Sequence, residues 1–304
     1  MSVMKVVPPV EVTPEKMISS NVPGTDYPAW VAGTYAQGDR CVVGINAYEV
    51  LAQSTTDSPL DGIAKAVPSW LDLGPINRWR MFKKRAGNTW SIGTYTENPE
   101  SIDVTIRPGA RINSFGLVGV RASSVQVQMI IDGEVVYDQT FAMSLKAGGS
   151  YYRYYFGPFV TKDNVARFDL PPFANADIRV VASAPGGVAR IGMFVIGMGR
   201  EIGVATYGTG LGTESYSSVN EDAFGNVTIV PRGKRRFVDF DIVMRGDQLS
   251  SALRTLEPLS DTAALYVGAE EIDPTIIVGR FERLALVLTT FNRAEYTLEV
   301  RSLI

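Results

Sequence analysis

Residues 124–142 read SVQVQMIIDGEVVYDQTFA. Val125, Val127 and Met129 alternate with Gln126 and Gln128, which is the pattern of a strand with one face buried and one face wet. Asp132-Gly133 then separates this run from a second one, EVVYDQTFA, and Asp-Gly between two such runs is a strong signal for a tight β-hairpin. Similar strand-length runs rich in Val, Ile, Phe and Tyr lie on both sides of it. SIDVTIRPG and INSFGLVGVRA come before, and RYYFGPFV, VARFDLPPF, ADIRVVAS and ARIGMFVIGM come after. No helical crossover separates these eight runs. Residues 86–200 therefore predict a β-sandwich or jelly roll rather than an α/β fold.

Outside this region the chain divides into three further parts. Residues 1–26 carry four prolines and SSNVPGTD, and predict an extended arm, either a solvated tail or a strap over a neighbouring subunit. Residues 27–85 predict a small β module. DRCVVGI and NAYEVLAQ form a hairpin around Gly44-Ile45-Asn46, STTDSPLDGI is a loop, and PSWLDLGPINRWRMF closes the unit. All four tryptophans, Trp30, Trp70, Trp79 and Trp90, lie in the first 90 residues, and a few large aromatics can build so small a core. Residues 201–304 predict a second β domain with one helix. In DQLSSALRTLEPL, Leu249, Leu253 and Leu256 fall at helical spacing, Asp247 is the candidate N-cap and Pro258 the stop. A long glycine-rich entry loop, about Gly199 to Asn220, reads as an interaction element or lid. The last strand predicts a C-terminus tied into a sheet. The expected class is mainly β throughout.

Composition removes much chemistry. There is no histidine, so Ser-His-Asp and Cys-His nucleophiles and histidine metal sites are excluded, and one cysteine, Cys41, excludes thiolate zinc sites and an internal disulfide. No catalytic set, metal ligand set or cofactor is expected, and the chain reads as a non-enzyme. Net charge is −3, too near neutral to suggest a nucleic-acid partner. No apolar run approaches the length of a membrane span, and the start of the chain lacks a secretory signal, so release by lysis is the expected route out of a cell. The glycines of GMGREIG, Gly197, Gly199 and Gly203, miss the dinucleotide spacing, and GTGLG lacks the Lys-Ser/Thr of a phosphate loop. The acid pairs Glu221-Asp222, Glu270-Glu271 and Asp239/Asp241 each fit an exposed turn or strand face.

Three clusters remain as candidate binding surfaces. YYRYYF sets Tyr151, Arg153 and Tyr155 on one side of a strand, and these read as a subunit interface, plain surface or a ligand platform. RGKRRF gathers Arg232, Lys234, Arg235 and Arg236, either as a solvated strand edge or as a contact with an acidic neighbouring subunit. Trp30, Tyr35, Tyr48 and Trp70 either form an exposed strip that stacks on sugar rings or make up the small module's core.

The pattern W-x-x-G-T-Y-x-x-G-D-R at Trp30 to Arg40, with Y-E-V at Tyr48 to Val50 and P-S-W at Pro68 to Trp70, resembles the small chitin-binding modules of bacterial chitinases. The resemblance implies a structural Trp-Gly-Tyr-Gly-Asp frame with exposed aromatics on the polysaccharide. Here the chain departs by inserting STTDSPLDGIAKAV after Tyr48. A longer resemblance runs through NRWRMF, RPGARINSFGLVGV, GEVVYDQTF, FGPFVTKDNVARFDLPPFANADIRV, GREIGVATYGTGLG, EDAFGNVTIVPR and VGRFERLALVLTTFNRAEYTLEVRSLI. These look like a group of phage and prophage virion proteins often labelled carbohydrate-binding. The resemblance implies a tail structural component, an adaptor, collar or baseplate element. It would be made in the bacterial host cytoplasm and built as a symmetric homo-oligomer against other tail proteins. A glycan-binding adhesin on the same tail, touching host surface glycan, is the alternative.

Overall fold

The computed structural model describes residues 2–82, 85–86, 89–90, 93–145, 160–206, 208–221, 224, 226–290 and 293–303. Tyr151, Arg153 and Tyr155 lie outside the described residues. The fold is mainly β, as the alternation and turn signals imply.

The hairpin at 124–142 forms as expected. Ile131 pairs with Glu134, and both loop residues have positive φ, 51° at Asp132 and 87° at Gly133, the backbone of a type I′ turn. Ser124–Ile131 and Glu134–Ala142 belong to a five-stranded sheet completed by Asp177–Ile191, Thr96–Ile106 and Met17–Ser20. Its inward residues, among them Val104, Val127, Met129 and Val180, are fully or almost fully buried. They meet Phe115, Leu117, Phe194 and Ile196 from a three-stranded sheet of Val165–Arg167, Ser114–Val118 and Met193–Gly197. This pair of sheets is the sandwich. Every residue of Ser114–Val118 and Met193–Gly197 is buried, because the sheet is covered on its other face too. There Val118, Ala166, Met193 and Val195 pack on Val7, Leu265, Val267 and Val278 of the C-terminal domain. A Cβ on Gly116 would stand 2.3 Å from Leu265 Cδ2, so this glycine is what lets the two layers close.

The C-terminal domain is a closed barrel. In ring order its staves are Arg200–Ala205, Ser2–Val7, Ala264–Val267, Ile276–Thr290, Arg293–Ser302 and Lys234–Arg245. Val204 pairs with Val243 and Ala205 with Ile242 to complete the circle. Met4, Val6, Ile202, Phe240, Tyr296 and Leu298 fill its interior, and the Tyr296 hydroxyl donates to the Ile202 carbonyl. Gly210–Ser215 adds a seventh strand on Lys234–Arg245.

Four expectations change. Residues 1–26 are not an arm: Ser2–Val7 is a barrel stave, Met17–Ser20 is a sandwich strand, and Pro8 and Pro9 follow directly where the chain passes between the two sheets. The stretch 199–220 is not a loop but largely strand, at Arg200–Ala205, Gly210–Ser215 and Ser218–Glu221. Its glycines mark close approach rather than slack. A Cβ would lie 2.5 Å from Ile242 Cγ2 at Gly203 and 2.1 Å from the Phe237 ring at Gly212. The helix Leu249–Leu256 is flanked by 3-10 turns at Gly246–Gln248 and Glu257–Leu259, so Pro258 opens the closing turn instead of stopping the helix. Asp247 lies inside the first of those turns and pairs with Arg245 at 3.0 Å, and it does not cap. Ala252, Leu256 and Leu259 join the barrel core, so the helix stops one end of it. Last, Pro59–Ile63 in the expected loop is a short helix capped by Ser58, whose Oγ accepts from Asp61 N.

The small module is a three-stranded sheet of Arg40–Val43, Asn46–Val50 and Trp70–Pro75, with the expected hairpin turning at Gly44-Ile45. Ala47, with Val42 and Ile45 beside it, packs into the sandwich core, which also takes Trp79 and Met81. The module is therefore docked, and the second tryptophan of its expected closing segment belongs to the sandwich.

Candidate functional site

The four candidate aromatics divide by burial. Trp70 is 1% exposed and Tyr48 5%, and with Cys41 and Val50 they make the module's own core. Tyr35 meets Trp70 edge-on, ring centroids 5.3 Å apart, and its hydroxyl bridges the Val31 N–H and carbonyl. Trp30 packs half-buried against the same cluster. The inserted segment explains why Trp70 is out of reach of a sugar. Its helix places Gly62 against the indole, where a Cβ would come within 2.3 Å of Cδ1, and the Trp70 Nε1–H donates to the Asp57 carbonyl at 3.2 Å. The module turns aliphatic side chains outward instead: Val31, Leu51, Leu60, Val67, Leu71 and Leu73 are all exposed. Flat rings suit sugar stacking, whereas aliphatic patches suit protein.

Asp57 anchors the insert. Lys65 donates to its carboxylate at 2.7 Å and Ser69 at 2.9 Å; together with Thr55 these bonds, the one from Lys65 foremost, hold the Asp57 carboxyl below the usual carboxylate range. A group whose folded value is depressed stabilises at neutral pH, and that contribution is lost as pH falls through the usual carboxylate range toward the lowered value. Acid is therefore expected to loosen the insert. Asp57→Asn should flatten this response when cleavage between residues 54 and 69 is followed against pH. An unchanged acid response in Asp57→Asn would assign it to another group.

Half of the basic run is engaged within the chain. Arg235 Nε donates to the Ser302 carbonyl at 3.0 Å and lies 3.8 Å from Glu282, and Arg236 reaches Asp163 of the sandwich at 3.7 Å. Arg232 and Lys234 stay exposed. Lys234, Arg235 and Arg236 open the strand Lys234–Arg245, where they pair with Gly210–Ser215 on one side; Arg293–Ser302 pairs on the other side from Phe237 onward.

Two surfaces were not singled out by sequence. At the barrel end away from the helix a cleft of about 660 Å³ opens, lined by Ser2, Ala205, Leu211, Glu270, Glu271 and Ile272 among others. Glu270 there is held by Lys5 at 3.0 Å and faces Arg167 at 3.7 Å, and Lys5 and Arg167 stack over Phe168 and Phe141. With its carboxylate so occupied, Glu270 staples sandwich to barrel. The signal was Glu270-Glu271, but Lys5 stands 265 residues away. The second surface is a two-stranded ribbon, Ser218–Glu221 with Val227–Val230. Among the described residues no group of three or more His, Cys, Asp or Glu is arranged to hold a metal, and no helix is long and apolar enough to cross a membrane. A comparison with protein-family models, with curated proteins and with solved structures finds no match to this chain.

Proposed function

We propose that the chain is a structural component of a phage tail, an adaptor, collar or baseplate element. It is made in the host cytoplasm and built into the virion as a symmetric oligomer beside other tail proteins. The long motif resemblance supplies the tail context. The observation that carries a structural role over a sugar-binding one is the small module's inversion, with aromatics inward and an aliphatic surface outward. A glycan-binding adhesin would need its rings at the surface, and of the four candidate aromatics Trp30 and Tyr35 keep partial exposure while Tyr48 and Trp70 are buried.

Gold-labelled antibody on purified particles tests the reading. Label at one fixed position along the tail is expected. Unlabelled particles with the protein free in the lysate would overturn it. In that case, loss of polysaccharide retention in Trp30→Ala with the fold kept would favour the adhesin.

A further inference from the structure

The ribbon Ser218–Glu221/Val227–Val230 pairs with nothing but itself among the described residues. Its register sets Val219 opposite Ile229 and Glu221 opposite Val227, so these four share one face. Ser218, Asn220, Thr228 and Val230 share the other. The first face is apolar apart from Glu221 at its end and is open to water, with Val219 and Ile229 each 62% exposed and Val227 56%; Phe224 in the turn is 92% exposed. A lone two-stranded hairpin is marginal in water, and a mostly apolar face on one indicates a surface that covers it.

We propose that the ribbon of one copy lies in the barrel-mouth cleft of the next copy, joining subunits head to tail. The inference rests on the symmetric-oligomer reading above and names the contact that builds it. Two observations choose a second copy as the occupant. The cleft presents matching apolar groups, Leu211 and Ile272, both about half exposed, with Ala205 and Ala269 beside them. Its lip carries the exposed Glu271, beside a Glu270 already paired with Lys5 and Arg167, and the ribbon's foot carries the exposed Arg232 and Lys234, so Glu271 meets complementary charge there. In a ring every subunit gives one ribbon and receives another, so each copy has two such contacts.

The geometry is also that of a propagating contact. Leu211 lines the cleft near the start of Gly210–Ser215, and the ribbon follows the far end of that strand. From Leu211 to Ser218, where the ribbon begins, is about 23 Å of chain if extended, at ~3.3 Å per residue.

The test uses the full chain, with mass measured by light scattering during gel filtration over a wide concentration range. One variant carries Val219→Asp with Ile229→Asp on the ribbon, and a second carries Ile272→Asp in the cleft. All three positions are solvent-exposed, so each variant should keep its thermal transition. Wild type is expected to form a ring, and each variant alone to need at least tenfold more protein to associate. An equimolar mixture is expected to give dimers and nothing larger, because one intact ribbon then meets one intact cleft. Variants that assemble like wild type, or a mixture that stays monomeric beside an oligomeric wild type, would overturn the ribbon–cleft pairing and leave the oligomer reading standing. A wild-type chain that stays monomeric throughout would overturn both.

Discussion

A chain lacking residues 1–8 is expected to lose its barrel while retaining its sandwich. Met4, Val6 and Val7 are fully buried, and the strand that holds them pairs with Arg200–Ala205 on one side and Ala264–Val267 on the other. Burying three such side chains stabilises by about 1.5–3 kcal/mol each, so removing them costs about 5–9 kcal/mol. That is comparable with the whole stability of an ordinary domain, roughly 5–15 kcal/mol. Two barrel strands would also be left with an open edge. Hydrogen exchange gives the readout: protection should vanish across 200–205 and 264–267 and persist across 124–131 and 177–191. A truncated chain with the wild-type melting temperature and unchanged protection at 200–205 would show that the circle of staves does not depend on this strand.

Trp70→Ala is expected to unfold the small module and leave the other two layers intact. Among the described residues the module's own buried cluster is Cys41, Tyr48, Val50 and Trp70, and the indole also supports Tyr35 and the Pro59–Ile63 helix. Replacing a buried tryptophan by alanine costs about 3–5 kcal/mol, more than so small a core can lose. Limited proteolysis should then cut within residues 27–75 while the main thermal transition stays near its wild-type position. Trp70→Phe should recover part of the resistance. A Trp70→Ala protein that resists protease like wild type but no longer retains polysaccharide would return this residue to a ligand-binding role.

What the sequence made legible was local. The alternation at Val125, Val127 and Met129 and the Asp132-Gly133 turn act within a few residues of each other, and both appear in the structure as read. The helix was found from its leucine spacing, although its ends were misplaced because 3-10 turns extend it through Pro258. Barrel closure was hidden, since Met4 pairs with Gly203 and Lys5 with Val267, partners roughly two hundred residues or more along the chain. Prolines 8, 9, 14 and 23 suggested an arm, yet none of them interrupts a strand. Glycines 203 and 212 suggested slack where the packing demands the absence of a side chain. In the candidate site, the four aromatics were visible but the burial of Tyr48 and Trp70 was not, because the insert that covers Trp70 is itself the departure from the pattern. The cleft's Lys5–Glu270 pair leaves no trace in local sequence.

The barrel's circuit also constrains when it can form. Ser2–Val7 is synthesised about two hundred residues before either strand it pairs with, and Arg293–Ser302 fills a place between two other staves. On the ribosome the sandwich can assemble first, since its strands end at Gly197. The barrel waits for the final stave, with the early strand held unpaired and apolar in the meantime. The charge of Lys5 within MKVV is then the one feature of that strand that discourages it from pairing with a neighbouring nascent chain.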